Sequence, residues 1–367
     1  MAGSTFGNIF SITTFGESHG EGLGVVVDGC PAGVELTEED VQALLNRRKP
    51  GQSKFTTPRK EADAVKILSG VFEGKTTGTP IGMVVMNTSQ RSADYSEIAK
   101  YYRPGHADYT FDQKYGFRDY RGGGRSSGRE TIGRVAAGAV AKKLLESLGI
   151  TVTAYSKEIG GIEISTERFD LSQCAENPFA MPDAEAASKV QVMAEEKMKE
   201  LDSIGGIIEC RINGMPAGVG EPVFDKLDAR LAQAIISIGA VKGFEIGDGF
   251  AAAKSFGSEN NDAFAMKDGE VTKVTNHAGG VLGGMSDGSE IVFRAAIKPT
   301  PSIAKTQNTV NKDSEDIEIS VKGRHDPMIV PRAVVVVEAM AAVTIVDLLL
   351  SNMTARVDYL KKIYDRK

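Results

Sequence analysis

The sequence predicts an α+β fold built on antiparallel sheets. Strand-like runs of alternating or β-branched apolar residues recur along the chain, and several follow one another without a helical pattern between them. This order favours antiparallel pairing over a doubly wound parallel sheet. The runs interpreted as strands are Leu23–Asp28, Val65–Phe72, Ile81–Met86, Gly206–Ile212, Glu290–Ile297 and Asp316–Val321.

Two of the predicted helices carry capping signals at their N-termini. The first begins at Thr37, with Asp40 three residues later, and ends at Pro50-Gly51. The second begins at Ser127-Gly-Arg-Glu130, which has the form of a capping box, and ends at Gly149. Apolar periodicity predicts further helices over Ala184–Leu201, Asp225–Ile238 and Pro331–Leu350.

The composition is that of a soluble globular protein, and its glycine content favours a ligand-binding enzyme over a structural protein. A formal net charge of −6 accompanies 41% hydrophobic residues, and the 41 glycines against 13 prolines indicate many tight loops near a ligand. No repeat, Pro-rich linker or charge block divides the 367 residues, so we expect a single domain over 1–367 with Glu167–Asp183 as a surface loop.

The cysteines and the apolar runs indicate in which cellular compartment the protein is expected. Three cysteines without CxxC spacing support neither a disulfide framework nor a zinc site, so no metal is expected and a reducing cytoplasm fits best. No signal sequence is recognised at the N-terminus. The apolar run Ala333–Leu350 contains Glu338 and Asp347, and two carboxylates predict a buried helix rather than a membrane span.

All four histidines lie in polar segments that contain Gly or Pro. Any one of them could be an ordinary turn residue, but four in such loops favour a catalytic role for the set, because loops on a rigid scaffold collect catalytic groups. Histidine also suits proton transfer near neutral pH. The four are His19, His106, His277 and His325.

The Gly-rich run from Arg121 to Glu130 leads directly into a predicted helix. Exposed amides at a helix N-terminus, hydroxyls and arginines together describe an anion site. An RGG-type nucleic-acid tail is the alternative, but the run is single, lies inside a folded pattern and belongs to an acidic chain. Neither a P-loop nor a GxGxxG dinucleotide motif is present.

Further basic residues cluster near turns. Arg47 and Arg48 end the first helix, where they could bind an anion or only complement the helix dipole. Lys54, Arg59 and Lys60 follow, and Arg324 and Arg332 lie near the C-terminus. Lys298-Pro-Thr-Pro-Ser302 resembles a phosphate-holding turn, and Gly279–Gly284 is either room for a flat ligand or a plain loop.

Three long segments of this sequence resemble the signatures of chorismate synthases. They are Gly16-Glu-Ser-His-Gly20, Gly123-Gly-Arg-Ser-Ser-Gly-Arg-Glu-Thr131, and Gly323-Arg-His-Asp-Pro327 followed by Val330-Pro-Arg-Ala333. The similarity extends from Gly7 to the 340s. It implies elimination of phosphate from 5-enolpyruvylshikimate 3-phosphate with reduced FMN and without net redox change. It also implies a helical core between antiparallel sheets, a homotetramer, and either intrinsic flavin reduction or an external flavin reductase.

The resemblance also assigns site residues. Proton transfer falls on His19, His106 and Asp326, with Ser18 and Ser127 beside them. The implied FMN contacts are Arg125, Ser126, Ser127, Gly239, Ala240, Gly283, Lys298, Pro299, Thr300, Pro301, Ser302 and Arg324. The implied substrate contacts are Arg48, Lys54, Arg129, Arg134 and Arg332. Gly239 stands where the family commonly has Asn. Another FMN-dependent lyase acting on a phosphorylated carboxylate, or a nucleic-acid-binding module, is the alternative function.

Overall fold

The first of two large antiparallel sheets is built from the N-terminal part of the chain. The structure, a computed structural model, describes residues 3–56, 61–87, 97–321 and 326–365. The N-terminal strands are β1 (Thr5–Phe6), β2 (Ser11–Gly16), β3 (Gly22–Asp28), β4 (Val65–Ile67), the hairpin β5 (Val71–Phe72) and β6 (Lys75–Thr76), and β7 (Ile81–Met86). The sheet has the order β1-β2-β3-β7-β4. Alternate residues on β3, including Leu23, Val25 and Val27, are buried, so one face of the sheet packs on the core.

The second sheet has the order β11-β16-β10-β8-β9. Its register places Cys210 opposite both Phe293 and Ala154, which are all buried. Its strands are β8 (Thr151–Ile159), β9 (Ile162–Glu163), β10 (Gly206–Asn213), β11 (Val241–Ile246) and β16 (Ile291–Ile297). Three hairpins stand apart from it: β12 (Phe264–Lys267) with β13 (Glu270–Lys273), β14 (Val281–Leu282) with β15 (Met285–Ser286), and β17 (Thr306–Val310) with β18 (Asp316–Ser320).

A layer of helices lies between the two sheets. The α-helices of the described residues are α1 (Glu38–Arg48), α2 (Asp108–Tyr115), α3 (Thr131–Ser147), α4 (Ala184–Lys199), α5 (Leu227–Ile236), α6 (Gly257–Asn260), α7 (Val330–Asn352) and α8 (Val357–Tyr364). Of these, α1, α3, α5 and α7 pack on one another. Helix α3 packs on β2, β3 and β7, helix α7 packs on β8 and β10, and the two helices pack on each other. The expected α+β fold, with a helical core between antiparallel sheets, is therefore confirmed.

Helix α7 is the central helix of this core. It is long and apolar enough to span a bilayer, but 83% of its most apolar window is buried inside the protein, as predicted. Its Glu338 accepts hydrogen bonds from Arg47 and Lys142. Burial alone would raise the pKa of this carboxyl, but the two cations hold the pKa of Glu338 below its ordinary value.

The local predictions had mixed outcomes. Thr37 and Asp40 form the expected capping box. The second capping box was wrong: Ser127 Oγ accepts from Arg129 N at the start of a 3₁₀ turn, α3 begins only at Thr131, and the Glu130 carboxylate contacts Thr14 and Arg134 instead.

Two further predictions were wrong because of turns and burial. Val65–Phe72 is interrupted by a turn at Gly70, whose φ is +81°, and forms β4 and β5. The supposed surface loop Glu167–Asp183 contains two 3₁₀ turns, and its Phe179, Met181 and Asp183 are buried.

Candidate functional site

The loop after β2 carries Ser18 and His19. Ser18 is buried, and its Oγ lies 3.2 Å from His19 Nδ1. The Gly-rich run packs against this pair so closely that a Cβ on Gly122 would lie 2.2 Å from His19 Nδ1. Glycine is therefore required at 122, and the Gly-rich run is in direct contact with the first signature segment.

Arg129 connects the Gly-rich run to residues that the sequence analysis missed. Its Nε and Nη2 donate to Asn87 Oδ1 at 3.1 and 2.8 Å, and its Nη1 lies 3.2 Å from Glu61 and 3.3 Å from Asp63. The side chain is only 10% exposed, so most of its hydrogen-bonding capacity is used within the protein. Glu61 and Asp63 had no sequence signal, because no motif or periodicity marks them.

Arg48 lies beside Arg129 and shares Asp63 with it. Its Nη2 contacts Asp63 at 2.8 Å and its Nη1 donates to Gly128 O at 3.0 Å, so it does not simply complement the end of α1. Burial, and then the charge of Arg332, lower the pKa of Arg48 to about 10, which Asp63 offsets only in part. Arg48 Nε is buried without a hydrogen-bond acceptor in the described part of the chain. The cluster therefore favours an added anion.

Arg332 and Asp326 complete this cluster from the C-terminal side. Arg332 donates from Nη1 to Asp326 and from Nε to the main-chain oxygen of Arg48. Through Arg48, which also donates to Gly128 O, the third signature segment is connected to the second, about 190 residues earlier in the sequence. Arg324 and His325 lie outside the described residues.

Arg125 and its neighbours face β2. Its Nη1 donates to Gly16 O and its Nη2 to Thr14 O and Oγ1. Ser126 Oγ donates to Gly123 O, within the same run. Arginines that turn inward in this way do not form the exposed surface of an RGG-type nucleic-acid tail.

His106 meets the turn from Lys298 to Ser302. His106 Nε2 lies 2.7 Å from Ser302 Oγ and Nδ1 lies 2.9 Å from Pro104 O. Burial, and then the charge of Arg103, lower the pKa of His106 to about 4, so the ring is neutral near pH 7. A neutral ring must donate from Nδ1 to the carbonyl and accept at Nε2.

The Lys298–Ser302 turn is itself well fixed. Lys298 N donates to Ala240 O and Lys298 Nζ donates to Gly105 O, both at 3.0 Å. A Cβ on Gly105 would lie 2.8 Å from Pro301, and one on Gly205 would lie 2.9 Å from Pro299. Thr300 Oγ1 is buried and has no hydrogen-bond partner among the residues described, so it is available to a ligand.

Arg134 links the Gly-rich run to the residues just before the Gly239–Ala240 turn. It pairs with Glu130 at 2.9 Å and donates to Ser237 Oγ and O, two residues before the Gly239–Ala240 turn. Gly283 lies elsewhere, because the neighbouring Gly284 O accepts from Leu227 N at the other end of α5. Ten helical residues, about 15 Å, separate those ends.

Like Gly283, Lys54 and His277 lie outside this network of contacts. Lys54 pairs with Glu195 at 2.8 Å and is 63% exposed. His277 lies 3.3 Å from Asp248, and its amide donates to Asp262, so it braces the hairpin region near Gly279–Gly284. Among the described residues there is no group of three or more side chains that could hold a metal ion.

Comparisons with known proteins agree across the whole chain. Residues 10–350 match the family model described as chorismate synthase. The chain is 72% identical to the chorismate synthase of Lachnospira eligens over 99% of this chain and 100% of that protein. It is 69% identical to that of Agathobacter rectalis over the full length of both. A crystal structure of a chorismate synthase superposes with a TM-score of 0.75 at 31% identity, covering 98% of this chain and 97% of that one. The chain belongs to the chorismate synthase family of carbon–oxygen lyases.

Proposed function

We propose that this protein eliminates phosphate and a hydrogen from 5-enolpyruvylshikimate 3-phosphate to give chorismate, the last step of the shikimate pathway, with reduced FMN. The observation that carries the proposal is the single network of contacts that joins the His19 loop, Arg129, Arg48 and Asp326, through Asn87, Asp63 and Arg332, in a chain of this family. Another FMN-dependent lyase is not favoured, because the full-length relatives share one name.

The residues around Lys298–Ser302 fit a flavin phosphate or ring edge. Thr300 Oγ1 is a buried hydroxyl without a hydrogen-bond partner in the described part of the chain, Lys298 supplies a cation, and Ala240, which has a positive φ, lies beside them. Arg125, Ser126 and Ser127 would add contacts from the Gly-rich run. Bound reduced FMN supplies electron density that assists departure of phosphate and is restored at the end of the cycle.

The substrate is an anion with phosphate and carboxylate groups, and the arginine cluster suits it. We assign Arg48, Arg129 and Arg332 to the anion. The resemblance also assigns Arg134 and Lys54 to it, and these side chains pair with Glu130 and Glu195 in the structure. Charge-assisted hydrogen bonds from guanidinium groups are stronger than neutral ones and can be bidentate. Asp63 offsets the burial of Arg48 and the charge of Arg332 only in part, and Arg48 Nε has no acceptor among the described residues, so a substrate anion would be stabilised there.

The proton-transfer residues have separate tasks. His19 would deliver a proton to the departing phosphate, with Ser18 orienting its ring through Nδ1. His106 has its Nδ1–H fixed on Pro104 O, so Nε2 is the atom that takes or holds a proton near the cofactor. Asp326, oriented by Arg332, would accept the proton at the flavin side of the site.

Assembly and location follow the family. We propose a homotetramer in the cytoplasm, where the free cysteines Cys30, Cys174 and Cys210 remain reduced. A separate flavin reductase would supply reduced FMN if the protein does not use NADPH itself. Neither nucleic acid nor membrane has a part in this proposal.

An anaerobic assay with reduced FMN and 5-enolpyruvylshikimate 3-phosphate tests the function. Phosphate and chorismate should appear in equal amounts, oxidised FMN should be inactive, and the reduced flavin should not be consumed. One flavin oxidised per chorismate in the strict absence of oxygen, or no release of phosphate, would reject the proposal. Salt-sensitive binding to RNA without turnover would instead support the nucleic-acid module.

A further inference from the structure

Asn87 contacts both halves of the candidate site through opposite ends of one side chain. It follows β7 directly, and its amide Nδ2 donates to Glu17 O at 3.0 Å and to Gly20 O at 2.8 Å. Its Oδ1 accepts from Arg129 Nε and Nη2. The two carbonyls bracket Ser18 and His19, so Asn87 spans the loop that carries the proposed acid and the arginine proposed to bind the anion.

The orientation of this amide follows from its neighbours. Two carbonyl oxygens require a donor, and a guanidinium requires an acceptor. A flipped amide would place oxygen against both carbonyls and NH₂ against Arg129, losing every one of the four bonds. Asn87 therefore uses its full hydrogen-bonding capacity here, which no apolar or singly functional side chain could reproduce.

The backbone of Asn87 is held in place by the sheet. Its own N–H donates to Glu21 O at 2.9 Å, one step beyond the pairing of Met86 with Gly22. Both ends of the His19 loop are thus tied to the β3–β7 ladder through this one residue. The loop's own turn contributes a bond from Gly20 N to Glu17 O at 3.2 Å.

We propose that Asn87 is a positioning residue that fixes the separation between the His19 loop and the Arg129 guanidinium. The inference rests on the proposed function, in which both groups act on one departing phosphate. An acid misplaced by about 1 Å can cost on the order of 100-fold in rate. Arg129 keeps Asp63 and Glu61 when Asn87 is altered, so its charge stays in the cluster.

The variant Asn87→Asp separates the two contacts. It keeps an oxygen towards Arg129 but places a carboxylate oxygen against the carbonyls of Glu17 and Gly20. We expect kcat to fall by about 10–100-fold while KM for the phosphorylated substrate changes by less than about threefold. Asn87→Ala removes both contacts, so KM should rise as well as kcat fall.

Asn177 provides a matched control. Its Nδ2 donates to Gln173 O and Met181 O, and its Oδ1 accepts from Phe179 N and Met181 N, so it also braces a loop with four hydrogen bonds. Asn177→Asp should lower thermal stability and leave kcat and KM unchanged below the melting temperature. An equal fall in kcat for Asn177→Asp and Asn87→Asp would overturn the proposal, because it would show a general effect of loop loosening.

A measurement without turnover keeps the inference separate from the function. Amide hydrogen exchange of the segment 16–21 should accelerate in Asn87→Asp and remain unchanged in Asn177→Asp. A positioning role would be rejected if segment 16–21 of Asn87→Asp exchanged at the wild-type rate. It would also be rejected if this variant changed only KM and left kcat unaltered. If the wild-type protein releases no phosphate, the proposed function fails, and the exchange result still decides whether Asn87 holds the His19 loop.

Discussion

The charge state of His106 is set by its surroundings. Burial, followed by the charge of Arg103, lowers the pKa of His106 from 6.5 to about 4. Asp108, two residues on, does not reverse this, because it is already bound to Arg103 and Arg118. A neutral ring with a fixed tautomer is thus built into the fold before any ligand arrives.

This depressed pKa predicts a stability that depends on pH. Above about pH 6.5 the His106 ring is neutral in both the folded and the unfolded chain. Between pH 6.5 and about pH 4, only the unfolded chain takes up the proton. The folded state should therefore lose on the order of 2–3 kcal/mol from this group as the pH falls through that window. His106→Gln should show a smaller loss in urea unfolding between pH 7.5 and 4.5.

The comparison has a built-in control. His277→Gln alters a partly exposed ring on the far hairpin region and should retain the wild-type pH dependence. Equal acid-side losses in wild type and His106→Gln would contradict the neutral assignment of His106.

Gly239 offers a test of the cofactor turn at a single position. A Cβ there would meet nothing within 4 Å, so a side chain is sterically accepted. Gly239→Asn restores the residue common in the family, and one added hydrogen bond to FMN is worth about 0.5–1.5 kcal/mol. We expect flavin affinity to tighten by about 2–10-fold in titration, while Gly239→Ala leaves it unchanged. Unaltered affinity in Gly239→Asn would remove this turn from the flavin site.

At the scale of elements, local signals were reliable where the partners are local. The box at the start of α1 needs only Thr37 and Asp40, which lie in one turn, and it formed as predicted. Glu130 carries the same kind of signal, yet its carboxylate contacts Thr14, 116 residues away. A local sequence pattern cannot show that a distant residue such as Thr14 competes with the helix backbone for the Glu130 carboxylate.

The packing of α3 on α7 depends on one glycine. A Cβ on Gly138 would lie 2.3 Å from the Cβ and 2.6 Å from the Cα of Ala339. Overpacking costs about 1–3 kcal/mol or more, whereas Ala gains only about 1 kcal/mol over Gly in a helix. Gly138→Ala should therefore lower the urea midpoint despite its better helix propensity.

A glycine in open space provides the comparison. Gly257 begins α6, and a Cβ there meets nothing within 4 Å, so Gly257→Ala should leave stability unchanged or slightly raised. If Gly138→Ala behaves in the same way, the close approach of the two helices is not the constraint inferred here.

At the scale of the whole molecule, the fold brings together the three signature segments, which are far apart in the sequence. The segments around His19, Arg129 and Asp326 do meet, linked through Asn87, Asp63 and Arg332. The sequence analysis expected an anion site built from basic residues, with Asp326 as the only carboxylate assigned to it. Carboxylates from Glu61 and Asp63 compensate much of that charge, and single acidic residues in a chain with many of them carry no distinguishing pattern.

One carboxylate near the C-terminus, that of Asp347, holds the N-terminal segment of the chain against α7. Asp347 on α7 accepts from the backbone amides of Asn8, Ile9 and Phe10 at 2.7–3.1 Å, and Arg230 lies 3.4 Å away. Asp347→Asn keeps the shape but faces those amides with a weaker acceptor or a competing donor, which should cost about 2–4 kcal/mol of unfolding free energy. Asp28→Asn, which loses a single bond to the exposed Gly29 amide, should change stability by no more than about 0.5 kcal/mol.

Because β2 begins at Ser11 and leads straight into the His19 loop, hydrogen exchange should also accelerate over residues 8–16 in Asp347→Asn. Stability equal to that of Asp28→Asn would mean that the N-terminal strands are held by their sheet alone and that this long-range closure is dispensable.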